Sequence, residues 1–356
     1  MSETTTRGAA PVLDLARLTS LRAFAALAVF GFHAGTAFDL PAVRKLFGLG
    51  YAGVGFFFIL SGFVLTWATR PGTPATRFYR RRFARVYPAY LVSTVVAGIA
   101  LGFGGPLEWV LNLFLVQAWH PSDTIQFGIN GVTWSLACEA FFYLLWPVLA
   151  VVARRRLGVF AVAATAAYLV GAGFTTWAIA ADHGVRLAYV NPALRLGEFL
   201  LGIVLAVLVQ RGALARLSLP LALVALAVNW YLVRRFFSED FPLPDYLMVP
   251  SYFLLVWAAA TADLRGRAGV LAHPLLVYAG QVSFCFYLVH QFGIDLVVHL
   301  DPGVSPMVEA AVALAMAAVF AAALHHLVEV PAQRALSGRR AQQAPVHAGH
   351  ASSSAD

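Results

Sequence analysis

Ten apolar runs, each 17–27 residues long, divide this chain: 18–37, 50–69, 87–104, 131–153, 157–180, 192–210, 217–233, 244–262, 273–299 and 305–328. A helix rising 1.5 Å per residue needs about 20 such residues to cross roughly 30 Å of hydrocarbon. The runs therefore predict an all-α, polytopic transmembrane bundle of about ten spans. Residues 106–119 are apolar but too short to span, and read as an interfacial or re-entrant helix. Composition agrees with this class. Charged residues make up 12% of the chain and hydrophobic ones 60%, where a soluble domain carries about 25% charge.

The net charge of +8 raises the question of nucleic acid, but the basic residues lie in short connections between apolar runs, so topology explains them better. With the N-terminus placed in the cytoplasm, eighteen of the 25 basic residues fall in cytoplasmic segments and five in outer ones. That imbalance predicts both termini inside and a multi-pass protein of the plasma membrane. The expected organisation is a cytoplasmic segment over 1–17, a membrane domain over 18–336 and a disordered tail over 337–356. The first run exceeds the 7–15 apolar residues of a signal peptide and holds Arg22 and His33, so it reads as a retained helix. Cys138 and Cys285 both sit inside apolar runs; neither a disulfide nor a metal site is expected.

Ionisable residues at membrane depth are costly and mark function by default. Arg22 and His33 are eleven residues apart, close to three full turns, so they share one helix face about 16 Å apart along the axis. Ala26 and Val29 lie between them. Glu139 has Ser135 and Tyr143 at i−4 and i+4. Arg195 and Glu198 begin the sixth run, and His290 shares a face with Tyr287 and Ser283 in the ninth. His33, Glu139, Arg195, Glu198 and His290 are all expected at outer-leaflet depth. On the cytoplasmic side "RFYRRRFARVYP" (77–88) places Arg82 and Arg85 one turn apart. Arginine forks suit phosphate, whereas Arg77, Arg80 and Arg81 read mainly as topology or lipid contacts.

Seven stretches together resemble the acyltransferase 3 family of integral membrane O-acyltransferases: "LTSLRAFAALAVFGFH", "GVGFFFILSGFVL", "RRFARVYP", "WSLACEAFFYLLWP", "RLGEFLLGIVLA", "VSFCFYLVHQ" and "VEVPAQR". They keep the family's order across nearly the whole chain. The resemblance implies transfer of an acyl group, often acetyl, from cytoplasmic acyl-coenzyme A to a hydroxyl. The acceptor it implies is a cell-envelope glycan, a glycolipid or a macrolide-type small molecule. Residue by residue, it implies that His33 is catalytic, that Arg22, Arg82 and Arg85 serve the donor, and that Glu139 is the acid after "WSL". Gly55 departs from the family, standing where many members have an acid.

Acyl transfer needs the acceptor hydroxyl deprotonated as it attacks, and histidine suits that task. His33 is expected to act as base, oriented by Glu139, or as a covalent acyl carrier. Pantetheine would run up the Ala26–Val29 face. Ser135, Tyr143, Arg195, Glu198, Tyr287 and His290 are expected to contact substrate. Competing structural readings pair Glu139 with Arg195 and Glu329 with Arg334. A transporter or flippase is the rival class, though no inverted repeat is visible. An assembly partner gives no reason for polar residues at these depths.

Overall fold

The computed structural model describes residues 15–102, 104–182, 184–237, 241–266 and 269–337. Most of the segment 1–17 and of the tail 337–356 lies outside them. Among the described residues the chain is helical with no strand. In order the helices are α1 (Ala16–Ala37), α2 (Pro41–Phe47), α3 (Gly53–Ala68), α4 (Ala75–Leu101), α5 (Pro106–Leu113), α6 (Asp123–Phe127), α7 (Trp134–Arg155), α8 (Leu157–Ala180), α9 (Val185–Val190), α10 (Leu196–Gln210), α11 (Leu219–Phe237), α12 (Leu243–Leu264), α13 (Pro274–Leu300), α14 (Pro306–Leu324) and α15 (Val330–Leu336). Each of the ten apolar runs falls on one of them. Nine helical stretches of the described residues are long and apolar enough to cross a membrane, and α10 is a shorter apolar helix.

Three differences from the sequence reading matter. First, α4 starts at Ala75 rather than near 87, so the arginine segment is part of the helix and not a stretch preceding it. Pro74 stands at its N-cap, Gly102 ends it in the left-handed region (φ 68°), and Pro88 is absorbed inside. Second, residues 106–119 split into α5 and a single 3-10 turn, Gln117–Trp119. Third, α14 does not stop near 328. A π-turn, His325–Glu329, carries it into α15. Such turns insert one extra residue per turn and often sit at functional sites; here it turns Glu329 into the bundle.

The interior is built on close backbone approach. α3 packs on α10, and α1 on α13. A Cβ on Gly202 would strike the carbonyl oxygen of Ile59, and one on Gly62 that of Phe199. Lipid is as apolar as leucine, so membrane helices associate through such contacts rather than through a hydrophobic driving force. α8, α11 and α14 form the outside and expose Val159, Val162, Val224, Val228, Val312 and Val319. The N-terminus of α1 is closed from a distance. The Asp263 carboxylate, at the end of α12, accepts from the Arg17 and Leu18 N–H groups and pairs with the Arg17 guanidinium at 2.7 Å. This satisfies donors that every helix start leaves open.

Candidate active site

A cavity of about 350 Å³ opens among α1, α3, α4, α7 and α13. α1 contributes Arg22. α4 contributes Arg82 and Arg85, one turn apart, because the arginine segment is helical. α7 contributes Ser135, Glu139 and Tyr143, its i, i+4, i+8 face, and Tyr287 comes from α13. Seven of the candidate site residues named from the sequence, Ser135 among them, thus meet on one wall system.

The arginines differ in what holds them. Arg85 pairs with Glu329 at 2.6 Å. Both Glu329 oxygens are filled: Oε1 by Arg85 and Gln333, Oε2 by His325 (2.7 Å) and Cys285 (3.1 Å). The expected Glu329–Arg334 pair is replaced by this hub, because the π-turn points Glu329 inward. Cys285, His325 and Glu329 have their ligand-type atoms within 4.8 Å of one another, yet each carboxylate oxygen already has two donors, and Arg85 supplies the positive charge. Arg82 has no such partner. Its Nε–H is buried and unbonded, and among the described residues neither Arg22 nor Arg82 makes an ion pair or hydrogen bond. Both face the cavity.

Glu139 also faces the cavity and accepts from Tyr143 OH at 2.6 Å. It therefore does not pair with Arg195, nor is it the group bonded to His33. Ser61 on α3, missed in the sequence, bonds the same tyrosine oxygen at 3.5 Å. A small hydroxyl in an apolar helix gives no signal until its neighbour is known. Further along, Ser135 and Tyr287 hydroxyls lie 2.8 Å apart, and both reach the Val132 carbonyl. Phe57 and Tyr287, ring centroids 5.9 Å apart, line the same cavity.

His33 is not among the residues lining this cavity. Its Nδ1 is 2.9 Å from Nε2 of His290, and the Tyr287 ring lies 5.6 Å from His290. Ala26 and Val29 are buried in helix packing and do not line the cavity. The expected path for pantetheine along that face is thus filled, and the open path runs past Ser61, Glu139, Tyr143 and Tyr287. His290 is fully buried with both nitrogens engaged, Nδ1 at 2.8 Å from the Tyr287 carbonyl. It has no nitrogen left for substrate.

Arg195 and Glu198 also differ from expectation. They form a sealed cluster with Asp245, off the cavity. Arg195 pairs with Glu198 at 2.9 Å and with Asp245, and lies over the rings of Phe58, Tyr189 and Tyr246. All three charged residues are at most 1% exposed. Burying a charge in lipid requires partners, and the carboxylates of Glu198 and Asp245 supply the countercharge for Arg195. Asp245 was missed, although an acid at the start of an apolar run is itself a signal. A Cβ on Gly55 would come within 2.9 Å of Asp245 Oδ1. An acidic side chain at 55 has no room here, and the carboxylate beside Arg195 comes from α12 instead.

Sequence comparison identifies the family. A family described as an acyltransferase domain, of the acyltransferase 3 type, matches residues 15–326. The acyltransferase MdmB of Streptomyces mycarofaciens is 36% identical, over 92% of this chain and 94% of its own length. The exopolysaccharide production protein ExoZ of Rhizobium meliloti is 30% identical over 70% of this chain and 78% of its own. The peptidoglycan O-acetyltransferase OatA of Listeria monocytogenes is 30% identical, but over 36% of this chain and 23% of its own length. No solved structure matches. A multi-pass helical bundle and a match across nearly the whole chain agree: the protein belongs to the acyltransferase 3 family and is a membrane O-acyltransferase.

Proposed function

We propose that the protein moves an acyl group, acetyl in the first instance, from acyl-coenzyme A to a hydroxyl of a sugar-containing acceptor. The acceptor class spans cell-envelope glycans, glycolipids and macrolide-type products; the names of ExoZ and OatA favour a saccharide hydroxyl. The observation that carries the donor assignment is the pair of unpartnered guanidinium groups, Arg22 and Arg82, facing one cavity. A buried arginine without an acceptor is costly, and phosphate oxygens are the acceptors its fork fits. Arg85, held by Glu329, adds a third positive group at the same end. The arginine-rich end is taken as cytoplasmic from the distribution of basic residues, where coenzyme A is available.

In this reading pantetheine extends from the arginines past Ser61 and Tyr143 toward Tyr287, whose ring neighbours His290 and through it His33, and brings the thioester to that histidine. His33 takes the acceptor's proton as its oxygen attacks the thioester carbonyl. A C–O bond forms, the C–S bond breaks, and the proton passes from His33 to the departing thiolate. The Tyr287 and Ser135 hydroxyls line the cavity and each gives its one proton to the Val132 carbonyl; a hydroxyl that rotates off that carbonyl can donate to the developing oxyanion. Glu139 balances the charge of the donor end. An acyl-His33 intermediate is the covalent variant of the same route.

The test is transfer of labelled acetyl from acetyl-coenzyme A to lipid and glycan extracts, with free coenzyme A measured alongside. Wild-type protein releases coenzyme A only with acceptor present. His33→Ala loses transfer by about 10²–10⁴-fold while inserting and purifying normally. Full transfer by that variant removes His33 from the chemistry.

A further inference from the structure

A backbone carbonyl only accepts hydrogen bonds, and this settles which nitrogen of His290 carries its proton. His290 Nδ1 lies 2.8 Å from the Tyr287 carbonyl oxygen, so Nδ1 is the N–H. The neutral ring then has its lone pair on Nε2. That nitrogen meets His33 Nδ1 at 2.9 Å, which makes His33 the donor. The two rings are inclined by only 17°, with centroids 5.2 Å apart. This equals the bond length plus one ring radius at each end, so the bond runs along the in-plane lone pair. His33 thus carries hydrogen on Nδ1. Its Nε2 holds the free lone pair and has no hydrogen-bond partner among the described residues.

We infer that His290 is a positioning residue: with its own tautomer locked by the Tyr287 carbonyl, it holds His33 as the Nδ1–H tautomer and leaves Nε2 as the basic nitrogen for the acceptor hydroxyl. The inference rests on the reading of His33 as base. Hydrolases that use histidine fix its tautomer with a carboxylate, and replacing that carboxylate by an amide that imposes the wrong tautomer costs about 10⁴-fold. Here a neutral imidazole, itself fixed by a carbonyl, does the same work. The second ring cannot drift, because Phe286 stacks on it at 6.0 Å and Phe30 meets it edge-on at 6.4 Å. When His33 Nε2 accepts the hydroxyl proton, Nδ1–H continues to donate to His290. The proton on Nε2 leaves to the thiolate, so none crosses to His290 during a turnover.

The test is the two-bond ¹H–¹⁵N spectrum of ¹⁵N-histidine-labelled protein in detergent, with the His33 signals assigned by their loss in His33→Ala. Wild type is expected to show His33 protonated at Nδ1 and bare at Nε2. In His290→Phe, which keeps a ring but removes the acceptor, Nε2–H becomes a major form. Turnover falls by about 10²–10⁴-fold at unchanged donor affinity. His290→Gln places an amide oxygen near the lost Nε2 and restores part of both. Nε2–H on His33 in wild type, or wild-type turnover by His290→Phe, overturns the assignment. Full transfer by His33→Ala overturns the underlying reading instead. The two failures are told apart because the tautomer is read from the spectrum alone.

Discussion

Arg82 and Arg85 illustrate how the same residue type, one turn apart, takes on different duties. Arg85 is half of an ion pair with Glu329, whereas Arg82 faces the cavity with its Nε–H unbonded. Arg82→Ala is therefore expected to weaken acyl-coenzyme A binding without loss of folded protein. A lost charge-assisted bond is worth about 1.5–3 kcal/mol, roughly a ten- to hundred-fold rise in Kd. Titration calorimetry checks it, and added salt should narrow the difference between variant and wild type. An unchanged Kd at low salt takes Arg82 out of the donor site. Arg85→Ala, by contrast, also strands Glu329, so its loss of affinity should come with a lower unfolding temperature. The sequence showed both arginines equally; which one is free depends on a partner 244 residues further along the chain.

At the scale of elements, the two most intimate packings involve α3 with α10 and α1 with α13. Gly202 lets α10 lie directly on the Ile59 carbonyl. Gly202→Leu is expected to destabilise the bundle by at least the 1–3 kcal/mol typical of overpacking, about the scale set by moving backbone rather than a flexible side chain. Thermal unfolding in detergent reads this directly, and an unaltered midpoint rules out the close contact. The helices themselves were legible, since apolar runs map onto helices nearly one to one. Their ends were less so. The start of α4 was hidden because arginine-rich sequence reads as a connection by hydropathy, although nothing between Pro74 and Pro88 breaks a helix. The π-turn at His325–Glu329 had no sequence mark, because an extra residue in a turn is decided by what the turn packs against.

Across the whole molecule, several buried charges among the described residues are paired between helices, while Arg82 is left without a partner. Arg195 with Glu198 and Asp245, Arg17 with Asp263, and Arg85 with Glu329 each tie helices distant in sequence. Arg195→Met leaves two buried carboxylates without their cation and is expected to cost about 3–5 kcal/mol, seen as loss of detergent-stable protein. Adding Glu198→Gln and Asp245→Asn should recover much of it, since a neutral set needs no counter-charge. Failure of the triple variant to recover would mean the cluster is more than a charge balance.

The sequence by itself determined the class of molecule, the family and the number of apolar helices, and it singled out Arg22, His33, Glu139 and His290 as ionisable groups in apolar runs and Arg82 in the basic segment beside one. That follows from the bilayer, which makes each such residue expensive and therefore conspicuous. The tertiary structure alone decided their partners. It set Glu139 in the cavity rather than beside His33, gave His290 to His33, and withdrew Arg195 and Glu198 into a cluster with Asp245. Helical periodicity fixes which side of its own helix a residue faces. Which neighbouring helix meets that side depends on contacts between segments hundreds of residues apart, and local pattern carries no information about those.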